Sequence, residues 1–79
     1  MVAEGLDVFK IKVPPSLAGK AIAKSGIRRK TACTVIAIEQ TGTTQVNPDP
    51  TQPLPASAEI ILIGSGESRS RFLSAFVGD

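Results

Sequence analysis

Hydrophobic and polar residues alternate near the start of the chain and give way to unbroken apolar runs further along. Phe9, Ile11 and Val13 share one parity, which predicts a half-buried first strand that stops before two prolines. Residues 33–38 are apolar on both parities and rich in β-branched side chains, which predicts a strand covered on both faces. Residues 60–63 form the most hydrophobic run, and we expect this strand to be central.

Between these strands the pattern predicts one helix, one hairpin and one exposed loop. Residues 16–24 suit a short helix that ends near Gly26, and its core-facing residues are Leu17, Ala21 and Ile22. A turn at 41–43 leads into a short second strand of a hairpin at 44–46. The sequence Asn-Pro-Asp-Pro at 47–50 then predicts an irregular surface segment.

A last helix is predicted directly after residues 60–63. Ser65 suits the N-cap, and Glu67 lies where a negative charge meets the positive end of the helix dipole. Gly78 is a plausible stop, and the apolar face of this helix consists of Phe72, Leu73, Phe76 and Val77. The predicted fold is therefore α+β, a small β-α-β-β-β-α domain with a mainly antiparallel sheet and a C-terminal helix packed on it.

The length of 79 residues allows one domain, and we expect it to span 1–79 with a flexible start at 1–5. With no histidine and one cysteine, the common metal-ligand sets cannot form, so no metal site is predicted. The same composition leaves no usual catalytic triad, and we predict that the chain is not an enzyme. No apolar run reaches the length of a membrane span, which favours a cytoplasmic location without membrane insertion.

Three local features are open to a functional interpretation. Residues 64–66, Gly-Ser-Gly, are better explained as a strand-to-helix turn than as a phosphate-binding loop, because a third glycine is missing. Cys33 opens an apolar strand, which favours a buried, inert thiol. Five of the nine basic residues lie within 20–30. Such a cluster usually forms a solvated rim, but Arg28 and Arg29 could also bind phosphate oxygens.

A resemblance to a known family rests on several short strings read together. They are Val-Pro-Pro-Ser-Leu-Ala-Gly-Lys at 13–20, Gly-Ile-Arg at 26–28 and Cys-Thr-Val-Ile-Ala-Ile at 33–38. The chain resembles the RCK C-terminal domain, also called the TrkA-C domain, over about residues 6–77. The resemblance implies a cytoplasmic regulatory domain of a potassium channel or of a potassium uptake or efflux transporter. It also implies that 1–79 is a fragment of a longer protein.

Partners and ligand are likewise implied by this resemblance. The partners would be a second copy of the domain, a Rossmann-type domain of the RCK family and a membrane subunit, and no nucleic acid. No cofactor is certain, but some members bind cyclic di-AMP between two copies, and another anionic effector would fit the basic segment. Thr34 stands where the nucleotide-binding members carry Asn. The predicted ligand-binding residues are Arg28, Arg29, Thr34, Val35, Ile36, Asn47 and Pro50.

The residues also predict a homodimer on their own account. Ile36 and Ile38 fall on the parity opposite Cys33, Val35 and Ala37, so one apolar sheet face is expected to lack a cover within one copy. Two other functions remain open. The domain could be a structural dimerisation module without a small ligand, or it could bind nucleic acid through its basic segment, although three Phe without Tyr or Trp offer few stacking groups.

Overall fold

The computed structural model describes residues 5–77, and the fold is organised around one four-stranded antiparallel sheet. Its strands are β1 (Leu6–Lys12), β2 (Thr34–Gln40), β3 (Thr43–Val46) and β4 (Glu59–Ser65). The spatial order is β1-β4-β2-β3, with every neighbouring pair antiparallel. The predicted α+β class and the central place of the most hydrophobic strand, β4, are confirmed. Of residues 1–5, which were predicted to be flexible, 1–4 lie outside the described residues, as does the predicted stop Gly78.

The first predicted helix forms only in part. Residues 15–19 make a turn, in which the N–H groups of Leu17 and Ala18 donate to the carbonyl of Pro14, and helix α1 covers only Ile22–Ser25. The prediction of a continuous helix over 16–24 is wrong because this backbone bonds to a distant loop instead. Gly19 N–H donates to the Leu54 carbonyl at 2.8 Å, and Leu54 N–H donates to the Lys20 carbonyl at 2.9 Å.

A second short helix, α2 (Ile27–Thr31), follows α1 after a single residue and was not predicted. That residue is Gly26, the predicted end of the first helix. It has φ 81° and ψ 5°, a left-handed conformation that glycine adopts without steric cost. The chain therefore turns sharply here, and the basic residues 28–30 lie on a helix of their own.

Helix α3 (Gly66–Phe72) begins as the sequence predicts. The Ser65 hydroxyl accepts a hydrogen bond from Ser68 N–H at 3.0 Å, and Glu67 lies in the first turn. The chain continues as a π-helical segment, Leu73–Val77. A π-helix has more residues per turn than an α-helix, so the side chains that face the core differ from the prediction. Phe72 is fully buried and Phe76 is half-buried, while Leu73 and Val77 are exposed.

The core lies between the helices and one face of the sheet. Phe72 packs against Phe9 and Phe76, with ring centroids 6.3 Å and 5.2 Å apart. The predicted buried state of Cys33 is confirmed, since this thiol is fully inaccessible. The other buried apolar residues of this core are Val13, Leu17, Ile27, Ile38, Leu54, Ala58, Ile60 and Leu62.

A β-bulge in β2 changes which side chains share a face. Val35 pairs with Leu62 and Ala37 pairs with Ile61, so Ile36 is an extra residue with no partner on β4. Ile38 is consequently turned into the core, where it is 3% exposed. The predicted alternation, with Ile36 and Ile38 together on an uncovered face, is wrong for this reason.

The sheet nevertheless has an apolar face that the helices do not cover. Pairing places Val8 beside Ile63 and Ala37 beside Val46, on the side opposite the buried core. Val8 is 45% exposed and Val46 is 74% exposed. An open apolar face is thus present, as predicted, but other residues form it.

Charged side chains border this open face. Lys10 Nζ reaches across β4 to Glu39 Oε1 at 3.0 Å and lies 3.9 Å from Glu59 Oε1. The hydrogen bond that Lys10 donates to Glu39, together with the two negative charges, raises the pKa of Lys10 above its ordinary value. These ion pairs connect the three longest strands at the surface.

Candidate functional site

The corner between α1 and α2 is held by a buried serine. Ser25 Oγ donates to the Ile22 carbonyl at 2.7 Å and accepts from Ile27 N–H at 3.2 Å. Both bonds satisfy a hydroxyl that is only 6% exposed, and they set the angle between the two helices. As a result Arg28 and Arg29, at the start of α2, project into solvent beside α1.

A second hydroxyl directs the chain from α2 into β2. Thr31 Oγ1 donates to the Ile27 carbonyl at 2.6 Å and accepts from Cys33 N–H at 3.1 Å, and it is fully buried. Between these residues Ala32 has φ 63°, which is uncommon for a residue with a Cβ atom. The reversal places Thr34, the first residue of β2, close to the end of the basic helix.

The Asn-Pro-Asp-Pro segment returns to this region from β3. Asn47, with φ 56°, donates its N–H to the Ile36 carbonyl at 2.8 Å, and Ala23 N–H donates to the Pro50 carbonyl at 2.8 Å. The segment predicted to be an irregular surface loop is thus bonded at one end to the bulge of β2 and at the other to α1. Pro48 is buried between these two attachments.

Asp49 closes a tight turn within the same segment. Its Oδ1 accepts hydrogen bonds from Thr51 N–H at 2.9 Å and from the Thr51 hydroxyl at 2.8 Å. The backbone bond, and next the hydroxyl bond, stabilise the charged carboxylate and hold the pKa of Asp49 below its ordinary value. The turn fixes the position of Pro50.

These elements enclose a groove of about 890 Å³. Its polar contributions are Lys24, Arg28, Arg29, Thr34 and Asn47, and its walls are formed by Ile22, Ala23, Gly26, Ile27, Cys33, Val35, Pro48 and Pro50. A volume of this size is within the range of about 300–1,000 Å³ that is usual for small-molecule sites. The groove is therefore large enough for a nucleotide-sized ligand.

All the predicted ligand-binding residues line this groove except Ile36. Residues 28–29, 34–35, 47 and 50 are brought together by the three attachments described above, and their part in binding stays a prediction. Ile36 is the bulge residue, and it does not line the groove. The sequence reasoning missed Lys24, although it belonged to the recognised basic cluster, and it missed the wall residues Ile22 and Ile27.

The electrostatics of the groove favour an anion. Lys24, Arg28 and Arg29 form no ion pair among the described residues, and no Asp or Glu in that part of the chain lines the groove. Guanidinium groups can form paired hydrogen bonds with phosphate oxygens, and the side chains of Arg28 and Arg29 are exposed to an approaching ligand. The aliphatic walls offer apolar contact for the rest of a ligand.

Within residues 5–77 no group of three or more potential metal ligands comes together. None of the helices in the same range has the length and apolar character needed to cross a lipid bilayer.

Comparison with known proteins places this arrangement in a family. The family model of the TrkA-C domain matches residues 8–77, a span that contains all four groove-forming segments. The chain belongs to the TrkA-C domain family. This is a family of regulatory domains, and the resemblance to the RCK C-terminal domain is confirmed. No sequence among curated proteins matches the chain.

Solved structures of RCK proteins share the fold of this TrkA-C domain. The GsuK channel bound to NAD is 35% identical, with a TM-score of 0.86, over 96% of this chain and 14% of the GsuK chain. The RCK C domain of the potassium transport protein KtrA, in complex with cyclic di-AMP, is 26% identical, with a TM-score of 0.80, over 89% of this chain and 82% of that one. The chain thus spans about a seventh of the GsuK channel subunit.

BusR from S. agalactiae is a third relative of the TrkA-C domain. Its RCK_C domain dimer in complex with cyclic di-AMP is 25% identical, with a TM-score of 0.79, over 94% of both chains. A longer BusR chain, 24% identical over 99% of this chain and 39% of that one, with a TM-score of 0.80, is in complex with busAB-promotor DNA, and at that identity it shows the fold alone. That the present chain binds no nucleic acid stays a prediction.

Proposed function

We propose that this TrkA-C domain binds an anionic effector in the groove and, as a dimer, couples its binding to the gating of a potassium channel or a potassium uptake or efflux transporter. The observation that carries this proposal is the groove itself, where Arg28 and Arg29 line an open space without an opposing carboxylate among the described residues. The domain would act at the cytoplasmic face of the membrane, as part of a longer protein with a Rossmann-type domain.

A cyclic dinucleotide, with cyclic di-AMP as the first candidate, suits the chemistry of the groove. Its phosphates would bind the guanidinium groups, and its bases would lie against the aliphatic side chains of Ile22, Val35 and Pro50. The complexes of KtrA and BusR with cyclic di-AMP support this choice. No catalytic group is needed, because the proposed role is binding alone.

A homodimer is the second part of the proposal. The open sheet face exposes apolar side chains, including Val8 and Val46, that a single copy of the domain leaves in contact with water. Domains of this size bury a limited fraction of their surface, so pairing would add stability. The BusR domain dimer supports the same arrangement.

Coupling to a gate follows from differential affinity. A ligand shifts the equilibrium between two arrangements of a dimer only if it binds one of them more tightly. A shift from mostly closed to mostly open needs about 5.5 kcal/mol of such a difference. Two symmetry-related grooves, each with Arg28 and Arg29, would double each contact and make this amount attainable.

Isothermal titration calorimetry with cyclic di-AMP, ATP and ADP tests the proposal, and sedimentation of the same samples reports the oligomeric state. We expect Arg28→Ala to weaken binding at least tenfold and to abolish the ligand-induced rise in melting temperature, because it removes a charge-assisted phosphate contact worth about 1.5–3 kcal/mol. Arg71→Ala is the matched control, since it removes the same charge from α3, where Arg71 pairs with Glu67 at 3.2 Å and does not line the groove.

If no nucleotide gives binding heat, the ligand-binding role is refuted and only the structural alternative stands, a dimerisation module without a small ligand. Equal losses of affinity in Arg28→Ala and Arg71→Ala would show that net charge, rather than the groove, governs binding. A monomer at high protein concentration would refute the dimer.

A further inference from the structure

The groove contains a single side-chain amide. Among its lining residues only Asn47 carries one, and Thr34 adds a hydroxyl. The amides of Gln45 and Gln52, the nearest in sequence to Asn47, are bonded reciprocally to each other, each bond being 3.0 Å. They are therefore occupied, whereas the Asn47 amide makes no side-chain hydrogen bond within residues 5–77.

The backbone holds Asn47 in a defined position. Its φ of 56° is left-handed, a conformation that Asn tolerates better than most residues, and its N–H donates to the Ile36 carbonyl at 2.8 Å. The next residue, Pro48, is buried and has a restricted φ of its own. Asn47 is thus held by its backbone at the edge of the groove, where the hairpin meets the bulge of β2.

We infer that Asn47 is the specificity-determining residue of the groove and that its amide selects adenine over guanine. The inference rests on the proposed function, because it assumes a nucleotide ligand whose phosphates bind Arg28 and Arg29. An amide offers one acceptor and one donor side by side, and this pair matches the amino group and the adjacent ring nitrogen of adenine.

Guanine would leave a polar group without a partner. An amide that pairs with its O6 and N1–H leaves the exocyclic N2 amino group without an acceptor, and no carboxylate lines the groove among the described residues to provide one. The Thr34 hydroxyl can donate or accept and so suits either base. The difference in affinity between the adenine and the guanine ligand therefore depends on Asn47.

Competing titrations of cyclic di-AMP and cyclic di-GMP, by calorimetry on the same samples, test this inference. The wild type is expected to favour the adenine ligand by about 5- to 150-fold, the range that corresponds to one guanine amino group left without a hydrogen-bond partner. Asn47→Gly keeps the left-handed backbone and removes the amide, so the ratio should fall towards one. Asn47→Asp tolerates the same backbone and provides two acceptors, so the ratio should reverse in favour of guanine.

The ratio of the two affinities distinguishes an effect on base selection from an effect of charge. An added carboxylate weakens both ligands alike through repulsion of their phosphates, whereas only base reading changes their ratio. Gln45→Ala is the control, because it removes an amide that does not line the groove, and it should leave the ratio unchanged. A wild type that binds neither ligand would overturn this inference, and it would overturn the proposed function as well if ATP and ADP also failed to bind. A wild type that binds, with a ratio unaltered in Asn47→Gly and Asn47→Asp, would overturn the inference alone.

Discussion

Replacing Gly64 by Ala should destabilise the domain although no backbone strain is involved. Gly64 is buried in β4, and a Cβ atom there would lie 3.0 Å from Cys33 Sγ and 3.1 Å from Ser68 Cβ. Both distances are shorter than ordinary van der Waals contacts, and neither neighbour is the mobile end of a long side chain. At Gly64 the central strand β4 therefore packs closely against Ser68 in α3 and against Cys33, just before β2.

The expected magnitude follows from this overlap. Adding one methyl group to a closely packed core costs about 1–3 kcal/mol. In a domain of this size each 1 kcal/mol lowers the melting temperature by about 4–8 °C. Gly66→Ala is the matched control, because a Cβ atom at Gly66 would meet nothing within 4 Å at the exposed start of α3. This control should be neutral, or stabilising by about 0.4–1 kcal/mol.

A double-mutant cycle with Cys33→Ala identifies the cause. Removal of the sulfur alone should cost about 1 kcal/mol, but in combination with Gly64→Ala it frees the space that the new methyl group needs. The double variant should therefore be more stable than the sum of the single costs predicts, by about 1 kcal/mol. Urea unfolding of all four proteins is measured at one fixed protein concentration, since the proposed dimer would make stability depend on concentration. A cost of Gly64→Ala below about 0.5 kcal/mol, or strictly additive costs, would refute the steric reasoning.

Two further predictions concern the core and the groove loop. Phe72→Ala should cost about 3–5 kcal/mol in urea unfolding, because the ring is fully buried between Phe9 and Phe76; a loss below about 1 kcal/mol would contradict this placement. Asp49→Ala should lower the melting temperature at neutral pH. Because hydrogen bonds from Thr51 depress the pKa of Asp49 in the folded state, the stability they contribute is present above the ordinary pKa of 3.8 and is lost as the pH falls through the lower pKa of the folded state. Melting curves should show the gap between wild type and variant narrowing below that pH, and a constant gap would exclude this account.

Much of the fold was readable from local patterns. An unbroken apolar run at 60–63 predicted a strand with neighbours on both sides, and β4 does pair with both β1 and β2. The predicted cap at Ser65 also forms, because a serine hydroxyl three residues before a backbone N–H needs no distant partner. The short strings that resemble the TrkA-C domain were sufficient to indicate its family.

Features that depend on distant partners were predicted less well. The helix expected over 16–24 is interrupted because Gly19 and Lys20 bond to Leu54, more than thirty residues away. The alternation of inward and outward side chains along β2 is interrupted at the bulge residue Ile36. The Ile36 carbonyl accepts a hydrogen bond from Asn47 N–H across the hairpin. Neither bond leaves a local signal in the sequence, so periodicity assigned the wrong face to Ile38.

The sequence by itself determined the strands, the final cap and a basic segment with the composition of an anion site. Only the tertiary structure decided that this segment faces Thr34 and Asn47 across a groove free of acidic side chains among the described residues. The physical reason is that side-chain chemistry is a property of single residues, whereas a groove depends on backbone hydrogen bonds between segments far apart in the chain. Here the bonds from Ala23 to Pro50 and from Asn47 to Ile36 bring these segments together.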